Sequence, residues 1–189
     1  MSSESVSILL IEDDLAQARF LQEMLKNSDL TAGNFVHVKR LQSAINQLQQ
    51  DRFDVILLDL SLPDSQGLSS VETIVNHAPF MPIVVLTNTN DQQLAIAAVR
   101  QGAQDYLVKK QINQELLVRS LRYAIERQRA ADLLREANQN LLTQVEKTSA
   151  ELNKVQEINQ LKSDLVSMFS HDFRNPLTTV LSCAELLQN

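Results

Sequence analysis

The hydrophobic positions in the first 110 residues form short apolar runs at regular intervals. Five stretches are candidates for strands: Ile8–Ile11, 34–38, Val55–Leu58, Ile83–Leu86 and 105–108. The three strongest do not alternate with polar residues, which is typical of strands buried on both faces of a parallel sheet. Between them, apolar residues recur at helical spacing, most clearly from Leu41 to Leu48. The alternation predicts an α/β domain with a doubly wound, five-stranded parallel sheet.

The second half of the chain has a different pattern, a run from Gln111 to Asn175 that contains neither glycine nor proline. From Asn113 onward it consists largely of strong helix formers, with Leu, Ala, Glu, Gln, Lys and Arg dominating. A structureless loop of this length is uncommon in compact chains. We therefore expect one near-continuous helix of about 60 residues, roughly 90 Å long, that connects two functional parts.

Apolar residues along this predicted helix are spaced mostly by three and four residues. They are Leu134, Leu141, Val145, Leu152 and Val155, followed one residue out of step by Ile158, Leu161, Leu165 and Met168. This spacing is typical of a two-stranded coiled coil. Because an isolated helix would leave these side chains in water, we expect a parallel homodimer. An antiparallel pair and a monomeric, solvated helix are the alternatives.

Composition narrows the function classes. The 189 residues carry a net charge of −6 and a pI near 5.1, which argues against nucleic acid as the main partner. Cys183 is the only cysteine, which fits a reducing compartment. The N-terminus has neither the basic flank nor the apolar length of a signal peptide, and no run reaches membrane-spanning length. We expect a soluble, cytoplasmic protein without a membrane partner.

Polar residues follow the predicted strands where each one ends. Glu12, Asp13 and Asp14 follow the first strand, and the later strands end in Asp59, Thr87 and Lys109. In an open parallel sheet these ends form one ligand site. Neighbouring carboxylates repel one another unless a proton or a cation is present, and oxygen ligands suit Mg²⁺.

A carboxylate can also accept a phosphoryl group, whose charge Mg²⁺ and Lys109 would neutralise while Thr87 donates a hydrogen bond. An Asp at a strand end often only caps the next helix, which explains Asp13 or Asp14 alone but not Asp59 with Lys109.

Four segments in this order, IEDD, VILLDLSLPDSQG, IVVLTNTND and QGAQDYLVK, resemble the receiver domain of two-component response regulators over about residues 5–127. The resemblance implies a flavodoxin-like fold with Asp59 as phosphoacceptor and Lys109 in contact with the phosphoryl group. It implies that Mg²⁺ (or Mn²⁺) is bound directly by Asp13 and Asp59, through water by Glu12, and by the backbone carbonyl of Ser61.

The same resemblance makes Thr87 and Tyr106 a pair of switch residues. Two positions depart from the family pattern: Lys110 replaces the usual proline after the lysine, and Asn88 replaces the usual small residue after the threonine.

A second segment, LVSMFSHDFRNPLTTVLS, lies near the end of the chain. His171 lies about 200° around the helix from Phe169 and Phe173, so it points away from that apolar stripe. An exposed histidine on a helix is usually incidental. This segment, however, resembles the phosphoacceptor box of sensor histidine kinases, which implies that His171 accepts phosphate, Asp172 acts as acid or base, and Asn175 supports catalysis or phosphatase activity.

We therefore expect a receiver at 1–127, a coiled-coil signalling helix at 128–160, and at 161–189 the first helix of a histidine kinase dimerisation and phosphotransfer domain. No ATP-binding motif appears, so we expect a larger parent histidine kinase in which a missing domain binds ATP, and no autophosphorylation by this chain alone. Asp59, phosphorylated in exchange with an upstream or downstream phosphotransfer protein, would regulate the kinase module through the paired helix. The alternatives are direct exchange of phosphate between Asp59 and His171, and a non-catalytic dimeric scaffold.

Overall fold

The structure, a computed structural model, describes residues 5–28, 30, 32–88 and 92–186, including their side chains except at 32, 92 and 171–186. The chain forms two compact units, Met1–Leu133 and Leu134–Asn189. The first contains the sheet and the helices that cover it, and the described residues of the second, 134–186, are helical.

The first unit is built on a parallel sheet of five strands, as the apolar runs predict. The strands in chain order are β1 (Val6–Ile11), β2 (Ala32–Val38), β3 (Val55–Asp59), β4 (Ser61–Leu62), β5 (Ser65–Gln66), β6 (Ile83–Thr87) and β7 (Asp105–Val108). The sheet has the order β2-β1-β3-β6-β7, and β4 and β5 form a separate antiparallel hairpin. The order reverses direction after β1, so a crevice lies beyond the carboxyl ends of β1 and β3.

The part of the chain that the structure describes has five α-helices between and after these strands. They are α1 (Leu15–Lys26), α2 (Leu41–Gln50), α3 (Ser69–His77), α4 (Gln92–Arg100) and α5 (Gln114–Leu186). Alternate residues of β1 enter opposite cores: Ile8 and Leu10 pack with α1 and the start of α5, whereas Leu9 and Ile11 pack with α2 and α3. Both faces of the sheet are therefore buried, which explains why the runs Ile8–Ile11, Val55–Leu58 and Ile83–Leu86 in its three central strands are continuously apolar.

Helix α5 begins at Gln114, next to Asn113, where the helix-forming composition begins. Lys109–Gln111 before it form a 3₁₀ turn, and Oδ1 of Asn113 accepts a hydrogen bond of 2.8 Å from the N–H of Leu116, an N-terminal cap. Buried residues from the first turns of α5 cover the sheet as expected: Leu117, Leu121, Ala124 and Ile125. The helix extends through Pro176 to Leu186, the last described residue, in agreement with the helix expected at 161–189.

The helix of the second unit exposes its apolar side chains. The predicted seam residues from Leu134 to Met168 are 51% to 65% exposed. The long helix is therefore confirmed, while its pairing with a second chain stays a prediction. Among the described residues, no helix combines the length and the apolarity needed to cross a membrane.

Candidate functional site

Three carboxylates meet beyond the ends of β1 and β3. Glu12 and Asp13 follow the last residue of β1, and Asp59 is the last residue of β3, its neighbour in the sheet. Their carboxylate oxygens lie within 4.8 Å of one another. Glu12 and Asp59 are buried, and Asp13 is exposed. The structure thus brings together three hard oxygen ligands with one side open to solvent, which fits the ligand preference of Mg²⁺ or Mn²⁺.

Lys109 supplies the positive charge of this cluster. It follows the last residue of β7, and its Nζ lies 2.7 Å from Oε2 of Glu12 and 2.9 Å from Oδ2 of Asp59. The three side chains are 9%, 0% and 2% exposed. The 3₁₀ turn that begins at Lys109 holds this contact although Lys110 replaces the usual proline.

The pKa values of Glu12 and Lys109 are both raised, for different reasons. Burial raises the pKa of Glu12, and the charge of Asp59 adds to this, whereas the hydrogen bond with Lys109 only partly opposes it. Burial alone would lower the pKa of Lys109, but its hydrogen bonds to Glu12 and Asp59 outweigh burial and raise it. The ammonium group of Lys109 is therefore charged. The three carboxylates of the cluster together carry more negative charge than this one ammonium group can balance.

One oxygen of the cluster has no partner. Oδ1 of Asp59 is buried and accepts no hydrogen bond within the described part of the chain, whereas Oδ2 contacts Lys109. A buried carboxylate oxygen without a donor is unfavourable unless it binds a cation or reacts. The residues present therefore fit a divalent cation, and Asp59 retains an oxygen that can attack an electrophile.

A cleft of about 560 Å³ opens beside this cluster. Its lining includes Asp13, Ser61, Thr87 and Asn88, together with the apolar Leu60, Leu62, Pro63 and Leu94. Thr87 is the last residue of β6, which lies between β3 and β7, so the four predicted strand ends meet at one edge of the sheet. Ser61 is the first residue of the hairpin and Asn88 an exposed residue at the rim.

Tyr106 is not among the described residues that line the cleft. Its half-buried side chain packs against the core beneath α2 and α3. Its role as a switch residue stays a prediction. His171, Asp172 and Asn175 lie outside the residues whose side chains the structure describes.

Two aspartates near the cluster cap helices instead of joining it. Oδ1 of Asp14 accepts hydrogen bonds from the N–H groups of Ala16 and Gln17, at 2.8 and 3.4 Å, at the start of α1. Asp64, in the turn between β4 and β5, accepts from the N–H groups of Leu41 and Gln42 at the start of α2.

The sequence offered capping as an alternative for Asp14, which is confirmed, but gave no indication of Asp64. An indirect signal for the missing cap existed, because the residue in the N-cap position of α2 is Arg40, which makes no side-chain cap bond. The sequence does not indicate which distant residue caps α2 in place of Arg40.

The similarity to known proteins lies in the first unit of the chain. The sequence model of the response regulator receiver domain matches residues 8–122. The chain is 38% identical over 102 residues to the transcriptional regulatory protein KdpE of Staphylococcus aureus, a match that covers 54% of this chain and 42% of KdpE. The leading curated relatives are longer, and the chain spans 21% to 51% of their length.

Solved structures give the same fold. A two-component response regulator from Clostridium difficile is 26% identical with a TM-score of 0.57, over 65% of this chain and 98% of that chain. The Mn²⁺-bound form of response regulator Rcp1 is 30% identical with a TM-score of 0.52, over 61% of this chain and 89% of that chain.

Proposed function

This chain belongs to the response regulator receiver family, and from that premise we propose that Asp59 accepts a phosphoryl group in a reaction that requires Mg²⁺ or Mn²⁺. One observation carries the proposal. The carboxylates of Glu12, Asp13 and Asp59 lie within 4.8 Å of one another, and Lys109 contacts two of them. A structural ion pair would need only one carboxylate for the single lysine.

In the proposed reaction, a carboxylate oxygen of Asp59 attacks the phosphorus of a phosphohistidine or of a small acyl phosphate. The new P–O bond forms as the bond to the donor breaks, and the leaving imidazole takes up a proton. Asp13 and Asp59 directly, Glu12 through water and the carbonyl of Ser61 would hold a divalent cation, which would supply positive charge against the phosphoryl oxygens.

The chain's own side chains act on the same charge. Lys109 forms ion pairs with two carboxylates, so its ammonium group is already positioned before a phosphoryl group arrives. Thr87 ends β6 at the wall of the cleft, where its hydroxyl donates a hydrogen bond to the phosphoryl group of Asp59. Thr87 and Tyr106 then reorient together, which shifts the receiver between two conformations.

Acetyl phosphate with Mg²⁺ tests this proposal. Intact-protein mass spectrometry should detect one added phosphoryl group on the full chain and none on Asp59→Asn. Asp54→Asn is the matched control, because Asp54 lies outside the cluster and accepts a hydrogen bond from the N–H of Ser7. Labelling that survives in Asp59→Asn would remove Asp59 from this role, and labelling that needs no divalent cation would contradict the proposed requirement for Mg²⁺ or Mn²⁺.

We further propose that this receiver regulates a histidine kinase module through a paired helix. Two features support this: the apolar side chains of 134–169 are exposed in a single chain, and the segment around His171 is similar to a kinase phosphoacceptor box. A second copy of the same helix would cover those side chains, as a parallel coiled coil requires. His171 would accept phosphate, with Asp172 as acid or base and Asn175 in support.

Single cysteines on the seam test the pairing. In a Cys183→Ser background, Leu141→Cys and Leu152→Cys should each form a like-to-like disulfide under mild oxidation if the helices are parallel and in register. An antiparallel pair would instead crosslink only unlike positions, and a monomer neither.

A further inference from the structure

A hairpin of six residues forms one wall of the cleft. Its strands β4 and β5 pair Ser61 with Gln66 and Leu62 with Ser65. Each strand has only two residues, so the ladder itself contributes little to holding the hairpin in place. Ser61, its first residue, lies two positions after Asp59 and lines the cleft with Asp13.

The hairpin is fixed at both ends by contacts outside its ladder. At its base the N–H of Gly67 donates a hydrogen bond of 2.8 Å to the carbonyl of Leu60, and Gly67 has a φ of 65°, which favours glycine. At its tip the carboxylate of Asp64 accepts hydrogen bonds from the N–H groups of Leu41 (3.0 Å) and Gln42 (3.1 Å).

The contact at the tip joins two parts of the chain that are 22 and 23 residues apart. Each carboxylate oxygen of Asp64 takes one N–H, so the orientation of the side chain is defined in two directions. These N–H groups belong to the first turn of α2, where a helix has no internal acceptors and where its dipole favours a negative charge. Helix α2 is in turn packed on the sheet through Leu41, Ala44 and Ile45.

We propose that Asp64 is a positioning residue for the cation site, which fixes the carbonyl of Ser61 by tying the hairpin tip to α2. This inference rests on the proposed function, in which that carbonyl is a ligand. Asp64 touches neither cation nor phosphoryl group. It acts through the six-residue hairpin, whose movement would carry Ser61 away from Asp13 and Asp59.

The proposal makes Asp64 do two things, capping α2 and placing the hairpin, and these can be separated. Asp64→Ala loses both. Adding Arg40→Ser in that background gives α2 a local cap, because Arg40 already has the extended backbone of an N-cap residue, with φ −139° and ψ 146°. The double variant restores the helix end without the tie to the hairpin, and its net charge equals that of the unchanged protein.

The measurement is the dissociation constant for Mg²⁺ by isothermal titration calorimetry on the full chain, alongside the thermal unfolding midpoint. We expect Asp64→Ala to weaken Mg²⁺ binding about tenfold, the lower end of the effect of outer residues that orient metal ligands. Arg40→Ser in that background should recover the unfolding midpoint but not the affinity. Asp64→Asn, which keeps one acceptor oxygen, should lie between. Gln47→Ala, which removes a side-chain hydrogen bond to Asp51 at the other end of α2, is the control and should leave the affinity unchanged.

Recovery of affinity together with stability in the double variant would overturn the inference, because capping alone would then explain both. Unchanged affinity in Asp64→Ala would overturn it as well. If the unchanged protein itself bound no Mg²⁺, the proposed function would fail first and this inference with it.

Discussion

The ammonium group of Lys109 lies 2.9 Å from Oδ2 of Asp59, although their strands β7 and β3 are separated in the sheet by β6. The lysine side chain therefore reaches across the end of β6, whose last residue is Thr87. The same ammonium group contacts Glu12 beyond β1. One side chain thus links the ends of β7, β3 and β1, and the electrostatic balance of the site depends on it.

Replacing Lys109 by Ala should destabilise the receiver in the absence of divalent cations. Two buried carboxylates would lose their only counter-charge among the described residues, and breaking a buried pair on one side typically costs about 3 kcal/mol or more. Urea unfolding followed by circular dichroism measures the loss. Because Mg²⁺ would replace the missing charge, its stabilising effect should be larger in Lys109→Ala than in the unchanged protein.

Lys110→Ala is the matched control for this experiment, since Lys110 is exposed and adjacent. It should change the free energy of unfolding by less than about 0.5 kcal/mol. Equal losses from the two variants would show that the ion pairs of Lys109 contribute nothing net.

Replacing Glu12 by Gln should have the opposite effect on stability. Burial, with the charge of Asp59, raises the pKa of Glu12 above its ordinary value of 4.5, so the folded state disfavours its ionised form. The stability that a protonated Glu12 contributes is fully present below pH 4.5 and is lost as pH rises through the raised pKa of the folded state. Without divalent cations, Glu12→Gln should therefore unfold at a higher urea concentration than the unchanged protein at pH 7, and this difference should vanish near pH 4.

The same substitution should weaken Mg²⁺ binding, because a neutral amide replaces a carboxylate at the site. About tenfold is expected for a residue that holds the cation through water. A variant that gains stability and keeps full affinity would contradict the assignment of Glu12 to the cation.

Asp64 should give the reverse dependence on pH. Slight burial on its own would raise the pKa of Asp64. Hydrogen bonds from the N–H groups of Gln42 and Leu41 outweigh burial and lower the pKa below its ordinary value of 3.8. A lowered pKa contributes stability that is present above pH 3.8 and lost as pH falls through the folded-state value. The free energy of unfolding of the unchanged protein should exceed that of Asp64→Asn at pH 6, and the two should converge below pH 3.8. Parallel curves over this range would mean that the carboxylate charge is irrelevant to the cap.

The strands and helices of the receiver were predictable because each carries a local signal. Ile8–Ile11, Val55–Leu58 and Ile83–Leu86 are apolar throughout, since both faces of the sheet are covered. The acids and the lysine follow the strands, and parallel strands end at the same edge of the sheet. The cluster of Asp13, Asp59 and Lys109 follows from those two facts without any knowledge of side-chain contacts.

The hairpin and its tie to α2 were not predictable in this way. Two-residue strands such as Ser61–Leu62 are too short to show periodicity, and a contact between Asp64 and Leu41 depends on where two loops meet after folding. The side-chain hydrogen bond from Ser120 on α5 to Asp105 on β7 was not predictable from the sequence, for the same reason. Local pattern identifies elements, while polar contacts between elements are set by the packed structure.

The seam of the second unit gives a prediction about assembly. Leu152→Glu should convert the dimer to a monomer in analytical ultracentrifugation, because two carboxylates would face each other in the coiled-coil core. Asn153→Glu introduces the same charge one position away, on the exposed side of the seam, and should leave the dimer intact. A protein that is monomeric before either change would contradict the proposed pairing directly.

Transfer of labelled phosphate distinguishes regulation from a relay between Asp59 and His171. With radiolabelled acetyl phosphate and Mg²⁺, the full chain should acquire label that is sensitive to hydroxylamine, as an acyl phosphate is. Asp59→Asn should abolish the label, and His171→Gln should leave it unchanged, because in the regulatory proposal phosphate on Asp59 does not move to the histidine. A direct relay predicts in addition an acid-labile phosphohistidine in the unchanged chain that disappears in Asp59→Asn.

Labelled ATP should give no phosphohistidine with this chain alone, and label from ATP would overturn the expectation that a separate ATP-binding domain is needed. Regulation through the helix therefore requires that Asp59 and His171 do not exchange phosphate with each other in this chain.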